Sequence, residues 1–146
     1  MVVFTNSLNS TDNLLVQAVY QRKKEDHLAL GLEIYELAGE PGREGMETLH
    51  AKSMVLERAG IGVVGSFNID PRSERLNTEV AIEFHSEAMA GELLRSIQER
   101  IKKKGVRIGP DGMPVDGRPR YLGAPPKKIS RMKRRTLPAL IFKGWL

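Results

Sequence analysis

Cysteine is absent from this chain of 146 residues. That excludes a disulfide scaffold, a thiolate metal site and a cysteine nucleophile. No run of about 18 apolar residues exists, so no segment reads as a membrane-spanning helix. The N-terminus, Met1-Val2-Val3-Phe4-Thr5-Asn6-Ser7, lacks the basic and apolar regions of a secretory signal. The expectation is a soluble or membrane-peripheral protein of the cytoplasm, next to the inner membrane. Aromatic residues make up only 5% of the chain, which offers few platforms for stacking nucleic-acid bases. What is present suffices for a core: 40% of residues are hydrophobic and 28% charged, the balance of one ordinary folded domain.

The net charge of +5 is unevenly spread. Residues 105–146 carry ten Lys/Arg against two Asp, whereas residues 1–104 carry 13 Lys/Arg against 16 Asp/Glu. A near-neutral body with a basic tail points to an anionic surface, either a membrane or a nucleic acid. The plainer alternative is a solvated tail kept soluble by its charge.

Local patterning sets out the elements. Val2-Val3-Phe4 reads as a strand. Leu14, Leu15, Ala18 and Val19 recur at helical spacing behind N-cap candidates Ser10-Thr11-Asp12, so a helix is expected over roughly 12–30, with Gly31 beyond its end. Leu32–Leu37 is a strand, and the stretch from Gly39 to Gly45 a loop. Two β segments, 50–56 and 61–67, are joined at Glu57-Arg58-Ala59-Gly60 as in a hairpin. Asp70-Pro71-Arg72-Ser73 makes a turn, and residues 79–84 alternate as a half-buried strand does. A helix over 86–104 presents Ala88, Leu93, Leu94, Ile97 and Ile101 on one face. Residues 105–126 are rich in Gly and Pro and read as irregular. This order argues for an α/β sandwich with a mixed central sheet flanked by helices. Residues 1–104 are expected to form the folded body, which the resemblance given below makes a catalytic half-domain, and 105–146 a basic extension, partly irregular, with an apolar end.

The chemistry is concentrated in Leu49-His50-Ala51-Lys52-Ser53 and Gly65-Ser66-Phe67-Asn68. Residues two apart on a strand face the same way, so His50 pairs with Lys52, and Ser66 with Asn68. Neighbouring strands could bring an imidazole, an ammonium, a hydroxyl and an amide to one spot. That set suits a phosphate: Lys supplies a point charge, Ser and Asn donate hydrogen bonds, and His attacks phosphorus or moves a proton near neutral pH. A lone His or Lys on a strand is usually just exposed; the joint spacing is what carries the reading. His27, His50 and His85 show no ligand spacing, so no metal is expected.

His50, Lys52, Glu57 and Gly65-Ser66-Phe67-Asn68 together resemble the motif of the phospholipase D superfamily. Ile69-Asp70-Pro71-Arg72-Ser73 with Leu76-Asn77-Thr78-Glu79, and the opening Thr5-Asn6-Ser7-Leu8, look like its cardiolipin-synthase-like branch. The resemblance implies His50 as nucleophile or general acid/base, and Lys52, Asn68 and Ser66 on the phosphoryl oxygens. Glu79 would hydrogen-bond the other imidazole nitrogen. Glu57 stands where the family has Asp, a mainly structural position. The implied chemistry is phosphatidyl transfer or phosphodiester hydrolysis on phospholipids through a phosphohistidine, without metal or cofactor. Family enzymes build one active site from two motifs, and this chain has one. A missing first half, or a homodimer with the site on its twofold axis, would supply the other. Two alternatives stand beside this reading: a homodimeric phosphodiesterase or nuclease of the same superfamily, and a truncated, inactive remnant.

The tail has its own reading. Lys127, Lys128, Arg131, Lys133, Arg134 and Arg135 precede an apolar end with Phe142 and Trp145. Basic residues beside Trp and Leu suit an anionic lipid interface. The competing expectation is that the apolar end packs on the protein's own surface.

Overall fold

The computed structural model describes residues 1–11, 13–38, 47–68, 73 and 76–141, the last six as backbone only. The loop expected at Gly39–Gly45, the turn at Asp70–Arg72 and the apolar end from Phe142, Trp145 included, lie outside the described residues. The architecture is mixed α/β, and the chain divides into two compact units. One is Met1–Leu49 with Lys103–Lys143, and the other contains His50–Lys102.

The first unit begins with β1 (Val2–Asn6), α1 (Leu14–Ala29) and β2 (Glu33–Leu37). Helix α1 starts where the Asn13 side chain accepts a hydrogen bond from Val16 N at 3.2 Å, which satisfies one of the orphan donors of the first turn. The cap is therefore one residue past the expected Ser10-Thr11-Asp12. The helix stops at Gly31, whose φ of +82° is the left-handed conformation that glycine adopts without strain. β1 and β2 pair in parallel from Val2 opposite Glu33 to Asn6 opposite Leu37. A short strand that the sequence pattern did not reveal, β6 (Gly105–Arg107), lies antiparallel to β2.

The Gly/Pro-rich segment and the basic stretch belong to this unit. Val106, Ile108, Leu122, Ala124 and Met132 are buried. The basic stretch is helical, α3 (Pro126–Ile141), and packs against α1. Ile129 and Met132 of α3 join Leu8, Leu14, Ala18, Tyr121 and Ala124 in one apolar cluster. Residues beyond 104 thus complete the core of the N-terminal residues, because β6 hydrogen-bonds β2 and α3 covers α1.

The buried face of α1 is only partly apolar. It runs Leu14, Gln17, Ala18, Gln21, Lys24. Lys24 and Glu36 of β2 are both 0% exposed, with Nζ 2.9 Å from Oε1, and the same oxygen accepts from the Tyr20 hydroxyl at 2.9 Å. Burial first, then the Glu36 charge and hydrogen bond, push the Tyr20 hydroxyl far above its ordinary value of 10.0. A buried serine turn closes β1: Ser7 N donates to Ser10 Oγ at 2.9 Å, and Asn6 clamps Leu49, donating Nδ2 to its carbonyl at 2.8 Å and accepting its N–H at 2.8 Å.

The second unit holds β3 (Lys52–Leu56), β4 (Ile61–Gly65), β5 (Ala81–His85) and α2 (Glu87–Lys104) as far as residue 102. The three strands form an antiparallel sheet in the order β3-β4-β5. The expected hairpin is present. Its connection is a 3-10 turn, Glu57–Ala59, closed by Gly60 at φ +63° with its N–H on the Glu57 carbonyl at 3.1 Å. Ser86 begins α2, its Oγ accepting from Met89 N at 3.3 Å. On α2, Ala90 is buried and Leu93, Leu94, Ile97 and Ile101 are half-buried, while Ala88, expected on the same face, is exposed. In place of one mixed central sheet, the described residues thus form two three-stranded sheets, the first mixed and the second antiparallel.

Candidate functional site

The register of the second sheet assembles the motif. Lys52 lies opposite Gly65, and Gly65 opposite Ala81. Directly opposed residues share a face, so the row beside the Lys52 stem offers only a hydrogen and a methyl group. Gly65 is required here: a Cβ would stand 2.5 Å from the Val80 carbonyl oxygen and 2.8 Å from Ala81 Cα. Around this row, at one end of the sheet, come His50 before β3, Ser66 and Asn68 after β4, and Glu79 before β5.

His50 is exposed. Lys52 is half-buried and donates from Nζ to the His50 carbonyl at 2.8 Å, which holds the ammonium beside the histidine. Ser66 joins the two later strands. Its N–H donates to the Val80 carbonyl at 2.9 Å, its Oγ accepts from Val80 N at 3.1 Å, and its hydroxyl donates to the Glu79 carboxylate. Asn77 Nδ2 donates to the other carboxylate oxygen at 3.2 Å. The Ser66 hydrogen bond, and after it that of Ser73, hold the Glu79 carboxyl below its ordinary value of 4.5; Asn77 and the Lys52 charge act in the same direction, and partial desolvation opposes them. Asn68 N donates to Ser73 Oγ at 3.2 Å.

Lys52, Ser66 and Glu79 are thus in one electrostatic and hydrogen-bonded group, which His50 joins through its backbone carbonyl. The Glu79 carboxylate is held by Ser66, Ser73 and Asn77 rather than by the His50 imidazole. Glu57 is not part of the group. It opens the 3-10 turn at the far end of β3, five residues or about 17 Å of strand from Lys52. Sequence reasoning missed Ser73 and Asn77 as partners of Glu79. Asn77 carried a signal, since it stands two residues before Glu79. Ser73 stood in the Asp70-Pro71-Arg72-Ser73 stretch that carries the resemblance, but without a role attached to it.

The basic residues are on α3, in the first unit. Lys127, Arg131, Lys133, Arg134 and Arg135 are exposed, while Lys128 is half-buried with its Nζ on the Asn9 carbonyl at 3.4 Å. No acidic residue interrupts Pro126–Ile141. Lys127, Arg131 and Arg134 repeat at helical spacing, opposite the Ile129 and Met132 that pack inward. Among the described residues, no helix is long and apolar enough to cross a membrane.

Comparison with known proteins gives the family. Residues 2–102 match the family described as cardiolipin synthase, PLD-like domain. The chain belongs to that family, the cardiolipin-synthase-like branch of the phospholipase D superfamily. It is 37% identical over 103 residues to cardiolipin synthase C of Escherichia coli K12, a match covering 62% of this chain and 21% of that one. It is 32% identical over 108 residues to uncharacterized proteins of two Helicobacter pylori strains, covering 69% of this chain and 21% of each relative. The chain therefore spans about one fifth of the length of the curated relatives it matches. No solved structure matches it.

Proposed function

We propose that the chain supplies one half of a phospholipase D-type active site, within an α/β sandwich, that transfers or hydrolyses phosphatidyl groups. The observation that carries the reading is the grouping of Lys52, Ser66 and Glu79 beside His50 at one end of the β3-β4-β5 sheet. A ring nitrogen of one histidine attacks phosphorus and forms a phosphohistidine, while a second histidine gives a proton to the departing alcohol. The second histidine then takes a proton from water or a lipid hydroxyl, which attacks phosphorus and frees the first. Lys52 and the Asn68 amide stabilise the charge that builds on the non-bridging oxygens, while Ser66, whose hydroxyl proton is on Glu79, braces that carboxylate. The carboxylate of Glu79 anchors Ser66, Ser73 and Asn77 around the site rather than acting on the imidazole.

The second histidine comes from a twofold-related copy or from a preceding half of a longer chain. Val80 is 71% and Ile82 68% exposed, apolar surface that a partner would cover. A self-complementary contact brings a single motif near the axis twice. The basic face of α3 lies against anionic lipid, which holds the site at the bilayer surface. Light scattering with a phosphatidylglycerol transfer assay tests the proposal: turnover is expected only in dimers or in the longer chain. A strict monomer that turns over overturns the two-histidine account. Turnover of DNA but not of phospholipid moves the substrate to nucleic acid, and folding without any turnover marks an inactive remnant.

A further inference from the structure

We infer that Ser73 is a positioning residue of the candidate site, its hydroxyl tying the backbone of Asn68 to the carboxylate of Glu79. The inference rests on reading Glu79 as the acid of that site. Ser73 is only 5% exposed, although the motif residues around it are open to solvent. Its Oγ accepts the Asn68 N–H at 3.2 Å, and it hydrogen-bonds Glu79.

The directions of these bonds are dictated by chemistry. A backbone N–H only donates and an ionised carboxylate only accepts, so the single hydroxyl proton of Ser73 must point to Glu79. The result is a relay from amide to hydroxyl to carboxylate, in which each bond polarises the next. Ser66 reaches the same carboxylate from the end of β4 and Asn77 from the approach to β5. Ser73 adds a third brace that also fixes the segment carrying Asn68.

The consequence falls on Lys52. Its charge already acts on Glu79, yet its Nζ rests on the His50 carbonyl at 2.8 Å. A carboxylate held by fewer donors would be free to close on that ammonium and occupy the cation needed for a phosphoryl oxygen. By holding Glu79 back, Ser73 keeps Lys52 available to an incoming phosphodiester.

The test is Ser73→Ala in the intact chain, followed by NMR and by turnover of phosphatidylglycerol in the active assembly. The Glu79 carboxyl titration is expected to move up toward 4.5, and exchange of the Asn68 amide to quicken roughly fivefold, as loss of one hydrogen bond allows. Ser73→Thr, which keeps the hydroxyl, is expected to retain both wild-type values, and Ser66→Ala to move Glu79 while leaving Asn68 exchange unchanged. Unchanged strand shifts in β3–β5 show that the variants fold. A Ser73→Ala variant with the wild-type Glu79 titration and Asn68 exchange overturns the inference, whatever its turnover. Shifts in both with turnover unaltered support the tether and instead remove Glu79 from the proposed chemistry.

Discussion

Replacing Lys24 by Met should destabilise the first unit more than any surface change. Lys24 and Glu36 are 0% exposed and meet at 2.9 Å. At an effective dielectric constant of about 20, their gross attraction is roughly 6 kcal/mol, most of which offsets the desolvation of both ions. Met fills the volume of the lysine stem but leaves the Glu36 charge buried with only the Tyr20 hydroxyl on Oε1, since Oε2 has no partner among the described residues. Breaking one side of a buried pair costs about 3–5 kcal/mol, a large part of the ~5–15 kcal/mol that holds a domain folded. Glu36→Gln alone should cost a similar amount, because it strands the ammonium. Lys24→Met with Glu36→Gln removes both charges and keeps an acceptor for Tyr20, so it should recover most of the loss. Urea unfolding followed by circular dichroism measures all four corners of the cycle. Additive single effects, or a Lys24→Met cost below about 1 kcal/mol, would refute the reasoning.

Three further outcomes are expected. Asn6→Ala removes both bonds to the Leu49 backbone and should cost about 2 kcal/mol by denaturant unfolding, at about 1 kcal/mol per bond; an unchanged midpoint would contradict the clamp. Tyr20 has a raised folded pKa, so its contribution should be intact below about pH 10 and lost as pH climbs above it, when the unfolded chain ionises first; Tyr20→Phe should flatten that alkaline slope, and a slope equal to wild type would count against it. Lys127, Arg131 and Arg134 changed together to Gln should weaken binding to anionic vesicles roughly 100-fold, at about 1 kcal/mol per charge, with no binding to neutral vesicles in either form; flotation assays that show equal binding would remove α3 from the interface.

How far the sequence foretold the structure differs by element. The strands at 2–4, 32–37, 50–56 and 61–67 and the helices at 12–30 and 86–104 were legible because their apolar residues alternate or recur at helical spacing. The burial of Gln17, Gln21, Lys24 and Glu36 was not, since a pattern of hydrophobicity cannot announce polar residues that pack inward against one another. The strand Gly105–Arg107 has too few residues for a period. Helix α3 was hidden by its charges, which outnumber the two inward residues Ile129 and Met132. At the candidate site, His50, Lys52, Ser66 and Asn68 were named by spacing and Glu79 by the family resemblance, and all five lie at one end of the three strands. The hydrogen bonds that Ser66 and Ser73 make to Glu79 were not legible, because both residues meet it through tertiary geometry alone.

The most direct test of the central claim is the rate of phosphatidylglycerol turnover by His50→Ala, measured beside the wild-type assembly and a folded-state control by circular dichroism. His50 is exposed and contributes little packing, so the variant should keep the wild-type spectrum and melting temperature while turnover disappears. A folded His50→Ala variant that turns over substrate at the wild-type rate would contradict the assignment of the site.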